Sequence, residues 1–548
     1  MRAAVIAVAA ITAAVAVALA WILLAADPRW SIDAFAGDDA GYYLAIARNI
    51  GLGLGVTFDR VSPTNGFNPL ETLLLVAADR IAAPGLTVAG CYRADVMVSF
   101  VALLGAAWLY ARLVAAFLAD GGWSGALRRF ALAACVAFFA WFVCLKNNFG
   151  MDGPLALLIG LAYLGRVFRR GLLAPGARAA LADGALLGAL FLARVDSLPF
   201  LAAAFALMLA TRAAGTIART AGRAATAAAL AAPYLLWSST TFGAWLPISA
   251  RIKSSFPSPS LARSLDAIRH TSLHPFDQAS FLIAFALALA LAAAWWARAR
   301  RDAGPALDRG RPAVLAILVL YLIGRLGYML LFSRADVQGS YALLAHVFNV
   351  LVAIVVIETA TRGAAPAARE RRAATAFAVL LALATLLLAF KAQGLAARLG
   401  AIAPGGAGDE VALARAIHDH TRPGDVIYGG AFGMLAFWAD RPWINGDGVA
   451  NDAAYQRALR DDALAPLLAA RGVTHVVFLA GPLGREGPRR LFVHGFLDGR
   501  DAALDVDERA TVLRWHTLRG GGADIALARW APRAGAMADS AASRTPAP

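Results

Sequence analysis

The chain has 548 residues, 60% of them hydrophobic and only 16% charged, where an ordinary soluble domain carries about 25% charged residues. With a mean hydropathy of +0.62, this balance excludes a water-soluble globular protein and predicts a polytopic membrane protein. The net charge of +15 does not point to nucleic acid, because the arginines fall in short clusters between apolar runs and no basic stripe interleaves with aromatics.

The first apolar run, Ala3 to Ala26, follows a single Arg2. It exceeds the roughly 7–15 apolar residues of a signal peptide and predicts a retained helix with its N-terminus inside. Ten further spans follow: Val88–Leu118, Phe130–Leu145, Pro154–Phe168, Ala179–Ala193, Leu198–Ala210, Ala224–Trp237, Phe281–Trp296, Ala313–Phe332, Tyr341–Ile357 and Ala374–Phe390. Alternate connections carry arginine clusters: Arg128/Arg129, Arg166 to Arg178, Arg212 to Arg223, Arg298 to Arg311 and Arg362 to Arg372. Such alternation predicts these links on the cytoplasmic side and the C-terminus outside. The other connections, Asp27–Thr87, Lys146–Gly153, Arg194–Ser197, Ser238–Gln278 and Ser333–Ser340, then face the periplasm, and the Asp, Asn, Gly and Pro residues with apparent chemical purpose are concentrated there. From about Gly394 the pattern changes. Asp409–His420 and Ala453–Ala470 read as helices, and Asp425–Tyr428, Trp443–Asn445 and Val473–Leu479 as strands.

The predicted fold class is therefore an all-α polytopic membrane bundle of about eleven helices with a small C-terminal α/β domain. The bundle covers residues 1–393 with a periplasmic first loop, 27–87; the domain covers 394–533, and a disordered Ala/Ser/Pro tail covers 534–548. The three cysteines, Cys91, Cys135 and Cys144, have no metal-ligand spacing and read as packing residues.

Candidate chemistry lies in the outer segments. Asp38 and Asp39 open a predicted amphipathic helix that carries Tyr42 and Tyr43. One Asp suffices as an N-cap, which leaves the other as a general base or cation ligand. Thr64, Asn65 and Asn68 lie among Asn-Gly and Pro turn signals and read equally as loop residues or as the lining of a polar ligand site. Asp152 stands at the mouth of the next helix, as a cap or as a second acid. Arg194 and Asp196 form an ion pair or snorkelling charges at a membrane boundary. Arg251 and Lys253 are cations on the side that disfavours them, which gives them a motive if they neutralise a phosphate. In the soluble part, Asn445, Asp447 and Asn451 either stabilise a turn or cover the site.

Taken in order, Gly-Asp-Asp-Ala-x-Tyr-Tyr, Thr-Asn-Gly-Phe-x-Pro-Leu, Gly-Met-Asp, Leu-Ala-Arg-Val-Asp-Ser, Phe-Gly-x-x-x-Pro-x-Ser-x-x-x-Lys and Asn445-Gly-Asp-Gly-Val-Ala-Asn resemble bacterial multi-spanning glycosyltransferase-like proteins of the GT-C superfamily. That superfamily includes protein mannosyltransferases and aminoarabinose transferases. The resemblance runs from the first helix to about Leu479. It implies an inner-membrane enzyme that takes a sugar from a polyprenyl-phosphate carrier and delivers it, with inversion, to a glycan, lipid or protein acceptor at the periplasmic face. It further implies that the acidic motif at Asp38 and Asp39 supplies the base, that Asp152 is the second-loop acid, and that Lys253, assisted by Arg194, holds the donor phosphate. The chain departs from the family pattern at Asn68, where His is expected, at Asp152, where Glu is commoner, and at Ser340-Tyr341, where Trp-Tyr is expected. No cofactor is implied beyond a divalent cation at Asp38/Asp39, whose other ligands the sequence does not identify. Two alternatives stay open: a transporter or flippase of a lipid-linked solute, and a lipid-binding relative without catalysis.

Overall fold

An apolar run in lipid must satisfy its backbone internally, so it becomes a helix or part of a closed barrel. The structure, a computed structural model, describes residues 38–143, 151–211, 215–269, 275–299, 309–334, 343–401, 410–430, 432–480, 488–494, 501–516 and 524–531. The predicted first span, Ser340-Tyr341 and the tail 534–548 lie outside the described residues.

Helices α1 (Ala40–Gly51) and α2 (Pro69–Ala82) belong to the first loop, 27–87. All ten later spans fall on helices: α3 (Val88–Ala119), α4 (Gly125–Val143), α5 (Gly153–Arg170), α6 (Ala177–Ala193), α7 (Leu198–Ala210) and α8 (Thr216–Phe242). After the short α9 (Ile248–Lys253) and α10 (Leu261–Arg269) come α11 (Pro275–Ala299), α12 (Gly310–Phe332), α13 (Leu343–Thr361) and α14 (Pro366–Ala401). Among the described residues, four helices are long and apolar enough by themselves to cross a membrane, within α3, α11, α12 and α13. The count of eleven rests on the arginine alternation.

Local sequence explains the helix ends. Helix α5 has Pro154 in its first turn, Arg169 and Arg170 in its last turn against the dipole, and Gly171 at φ +83° to stop it. Helix α6 lies along α8, α3 along α5, α4 along α14 and α7 along α12. Gly184 and Gly188 let α6 approach closely, since a Cβ at either would press into the backbone of α8. Beside that contact, Asp183 accepts from Arg166 Nε at 2.6 Å and from Arg223 Nε at 3.0 Å. Arg223 is fully buried and also donates to the Ala174 carbonyl. Asp183→Asn would leave a buried guanidinium short of its counter-charge, and an expected loss of ~3 kcal/mol or more is read from thermal unfolding in detergent.

The C-terminal domain begins with α15 (Glu410–Asp419), β1 (Val426–Gly429), α16 (Gly433–Ala439) and β2 (Trp443–Asn445). It continues with α17 (Ala453–Arg460), α18 (Leu464–Ala470), β3 (Val473–Ala480), β4 (Pro488–His494), β5 (Asp501–Asp507), β6 (Thr511–His516) and β7 (Asp524–Arg529). Its sheet runs β2-β1-β3-β7-β6, parallel over the first three strands and antiparallel over the rest, while β4 and β5 pair separately. The helix predicted over Ala453–Ala470 is two helices. The chain turns at Asp461-Asp462, with Asp462 at φ +52°, which stops α17.

The first loop and this domain share one core. Tyr42, Ile46, Phe58 and Phe67 pack with Ile417, Ile427, Trp443 and Val477. Arg48 of α1 donates to Asp440 at 2.7 Å, and Arg60 donates to the same carboxylate. At the N-terminus of α16, Asp38 accepts from the backbone N–H groups of Gly433 and Met434, both at 3.2 Å.

Candidate active site

Where the first loop, the bundle and the C-terminal domain meet there is a cavity of about 680 Å³. Its floor is apolar, with Leu198, Pro199, Ala203 and Ala206 of α7 facing Leu320, Met329 and Phe332 of α12. Its upper end carries Asp39, Tyr42, Tyr43, Asn68, Asp152, Arg194, Asp196, Arg251, Lys253 and Arg325, with Val449 of the C-terminal domain above them. Three carboxylates there (Asp39, Asp152, Asp196) face four cations (Arg194, Arg251, Lys253, Arg325), so the lining has one positive charge in excess.

The charges form an ordered network. Arg194 donates through Nε and Nη2 to both oxygens of Asp196, at 2.7 and 3.2 Å, and through Nη1 to Asp152 at 3.2 Å. Arg325 adds a second guanidinium on Asp196, at 3.2 Å. Burial works against the Asp196 charge, yet Arg194 and Arg325 outweigh it and hold the carboxyl at about 2. Its ionised form persists at any working pH and clamps the two arginines together. Asp152 is 3% exposed, and burial raises its carboxyl against the pull of Arg194. Its Oδ2 accepts from Tyr43 Oη at 3.4 Å and from Asn68 Nδ2. Asn68 also donates to Tyr43 Oη at 2.9 Å, and its Oδ1 accepts from Val195 N at 3.2 Å. Asn68 thus ties the first loop to the connections at Asp152 and Val195.

Asp39 differs from its neighbour. Its side chain is 30% exposed in the cavity wall, 3.4 Å from Lys253 Nζ. Lys253 ends α9, the six-residue helix that Pro247 starts, and Arg251 lies two residues before it. Arg251 is exposed at the rim. A carboxylate and two cations therefore converge where the polar end meets the apolar floor.

Other candidate residues, in the first loop and the C-terminal domain, are hydrogen-bonded within the fold. Tyr42 Oη donates to Asp447 at 3.0 Å and accepts from Asn445 at 2.8 Å. Burial pushes the Asp447 carboxyl up to about 6. Asn445 accepts from Gly448 N, and Asn451 donates to the Asn445 carbonyl. Thr64 accepts from Gly66 N, and Asn65 bridges Ser238 Oγ and Ile248 N. Both are buried and absent from the cavity wall. Among the described residues no group of three His, Cys, Asp or Glu side chains is arranged to hold a metal ion.

Sequence reading overlooked Arg325. An ionisable residue inside an apolar run is itself a signal, and Arg325 carried it. Asp95, inside the span that became α3, was missed in the same way.

No family model and no curated protein matches the chain. Among solved structures it is similar to ArnT from Cupriavidus metallidurans bound to undecaprenyl phosphate: 13% identity over 91% of this chain and 97% of that chain, with a TM-score of 0.42. It is also similar to the apo form of the Archaeoglobus fulgidus oligosaccharyltransferase: 13% identity, 87% of this chain and 69% of that chain, TM-score 0.49.

Proposed function

We propose that the chain is a membrane glycosyltransferase that moves a sugar from a polyprenyl-phosphate carrier to an envelope acceptor at the outer face of the bacterial inner membrane. The observation that carries this reading is the cavity itself. An apolar trough between α7 and α12 opens into a polar end with one cation in excess and a carboxylate beside it. A lipid tail fits the trough, a singly charged phosphodiester answers the excess charge, and a hydroxyl acceptor needs the carboxylate.

In this mechanism Asp39 takes the acceptor hydroxyl proton while the acceptor oxygen attacks the anomeric carbon from the face opposite the phosphate. The bond between that carbon and the phosphate oxygen breaks, and the configuration inverts. Lys253 and Arg251, with Arg194 and Arg325 behind them, hold the departing phosphate. A polyprenyl phosphate is a good leaving group, so no general acid is required. Asp152 is already committed to Arg194, Tyr43 and Asn68, and acts by fixing that arginine. Asn445, Asp447 and Asn451 set the roof rather than the chemistry.

The test is sugar transfer in reconstituted membranes, with labelled polyprenyl-phosphate sugars and an envelope extract as acceptor. Label in the acceptor with release of polyprenyl phosphate supports the enzyme. Lys253→Ala is expected to raise the donor KM by about tenfold or more, as for a charged hydrogen bond. Movement of the labelled lipid across the bilayer without transfer would put a flippase in its place.

A further inference from the structure

Helix α2 is inside out. Its outer face shows Leu73, Leu74 and Ile81, which are 63%, 38% and 85% exposed, whereas Glu71 and Asp79 on its inner face are fully buried. The inner face packs on α3, which brings a third fully buried acid, Asp95, and the Cys91 thiol. All six oxygens of Glu71, Asp79 and Asp95 are buried; Asp79 reaches the Cys91 thiol and the Asp95 carboxyl, and among the described residues none of the six oxygens pairs with a cation. An ionised carboxylate cannot stay in such a place without a counter-charge, but a protonated one can. We propose that Glu71, Asp79 and Asp95 form a proton-held latch between α2 and α3, closed while the three acids are neutral and released when they ionise.

Among the described residues no cation stands in for the proton. Glu71 faces Asp152, Asp95 faces Asp79 and Glu71, and Asp79 faces Cys91 and Asp95. The positive charge that acts on Asp79, Arg48 of α1, is engaged with Asp440 and the Leu86 carbonyl. Helix α6, which also packs on α2, brings no charge to these acids. Burial pushes the Asp79 carboxyl up to about 6 and raises Glu71 well above the usual range. A group raised in the folded state contributes stability below its unfolded value and loses it as pH climbs through its folded value. The latch therefore holds in acid, loses the Asp79 contribution as pH climbs from about 4 to about 6, and loosens further above that as Glu71 ionises. Its consequence reaches the cavity because Asn68, the residue that holds Asp152 and Tyr43, is the N-cap of α2.

The latch is independent of the proposed reaction, and its readout is the Cys91 thiol, which is fully buried within it. In a chain carrying Cys135→Ser and Cys144→Ser, maleimide labelling of Cys91 is timed at about pH 5.5 and about pH 8. Each rate is divided by that of the denatured chain at the same pH, which removes the chemistry of the thiol itself. The normalised rate is expected to rise about 4-fold or more between the two, since a carboxyl at about 6 is only about a quarter ionised at pH 5.5 and almost wholly ionised at pH 8. Adding Glu71→Gln, Asp79→Asn and Asp95→Asn, which mimic the neutral acids, is expected to keep Cys91 protected at both. A flat wild-type ratio, or an undiminished rise in the triple variant, overturns the latch. Failure of the triple variant to fold also overturns it, because neutral acids would tolerate neutral isosteres.

Discussion

Asp39→Asn is expected to lower the rate of sugar transfer by ~10²–10⁴-fold at saturating donor, the range for loss of a positioned general base, with thermal stability and donor binding kept. The two adjacent acids separate cleanly in the structure. Asp39 lies in the cavity wall 3.4 Å from Lys253, where the attacking hydroxyl and the phosphate would meet. Asp38 spends both oxygens on the N–H groups of Gly433 and Met434, which cap α16. Asp38→Asn keeps one acceptor oxygen, so its expected effect is a loss of ~1 kcal/mol in docking stability and a modest fall in rate. Single-turnover kinetics with preloaded donor make the comparison, since they isolate the chemical step from binding. A dead Asp38→Asn beside an active Asp39→Asn would reverse the assignment, and two active variants would remove the carboxylate-base mechanism.

Much of the architecture was legible because membranes impose simple rules. Apolar runs of sufficient length must be helices, and arginine clusters mark one side, so every described span fell on a helix. The outer loops drew attention through polar residues that a mere connection does not need, and Asp39, Asp152, Arg194, Asp196, Arg251 and Lys253 do meet around one cavity. Sequence could not say which of Asp38 and Asp39 faces that cavity, because neighbours at a helix start diverge by the turn of the backbone alone. Nor could it say that Thr64 and Asn65 are buried, since Asn-Gly turns serve ligands and loops alike. Arg325 and Asp95 vanished into apolar stretches averaged over a whole span. In the C-terminal domain α16 is too short for a period to emerge, strands β4 to β7 carry charged residues such as Arg489, Arg490, Asp505 and Arg514 within or beside each apolar stretch, and two acids in a row concealed the break between α17 and α18.

Gly41→Ala is expected to lift the C-terminal domain from the first loop and to lower transfer by about tenfold or more, with every cavity side chain unchanged. Gly41 lies in the second position of α1, and Gly433 opens α16. A Cβ on Gly41 would fall on the backbone of Gly433, and one on Gly433 would fall on the Asp38 carbonyl, so neither position has room. The obstacle is backbone, which cannot rotate away as a side-chain end can. Overpacking of this kind costs about 1–3 kcal/mol, against a contact that also carries Tyr42 to Asp447 and Asp38 to α16. If α1 yields, Val449 leaves the cavity roof and Tyr42 loses Asn445 and Asp447, so water enters beside Asp39. Gly327→Ala in α12 is the control. It meets no atom within 4 Å and is expected to be silent or to stabilise its helix by up to ~1 kcal/mol. Limited proteolysis together with the transfer rate makes the measurement. A Gly41→Ala chain as protease-resistant and as active as the Gly327→Ala chain would mean that the domain is not needed as a roof, and that the reaction is completed by the loop and bundle alone.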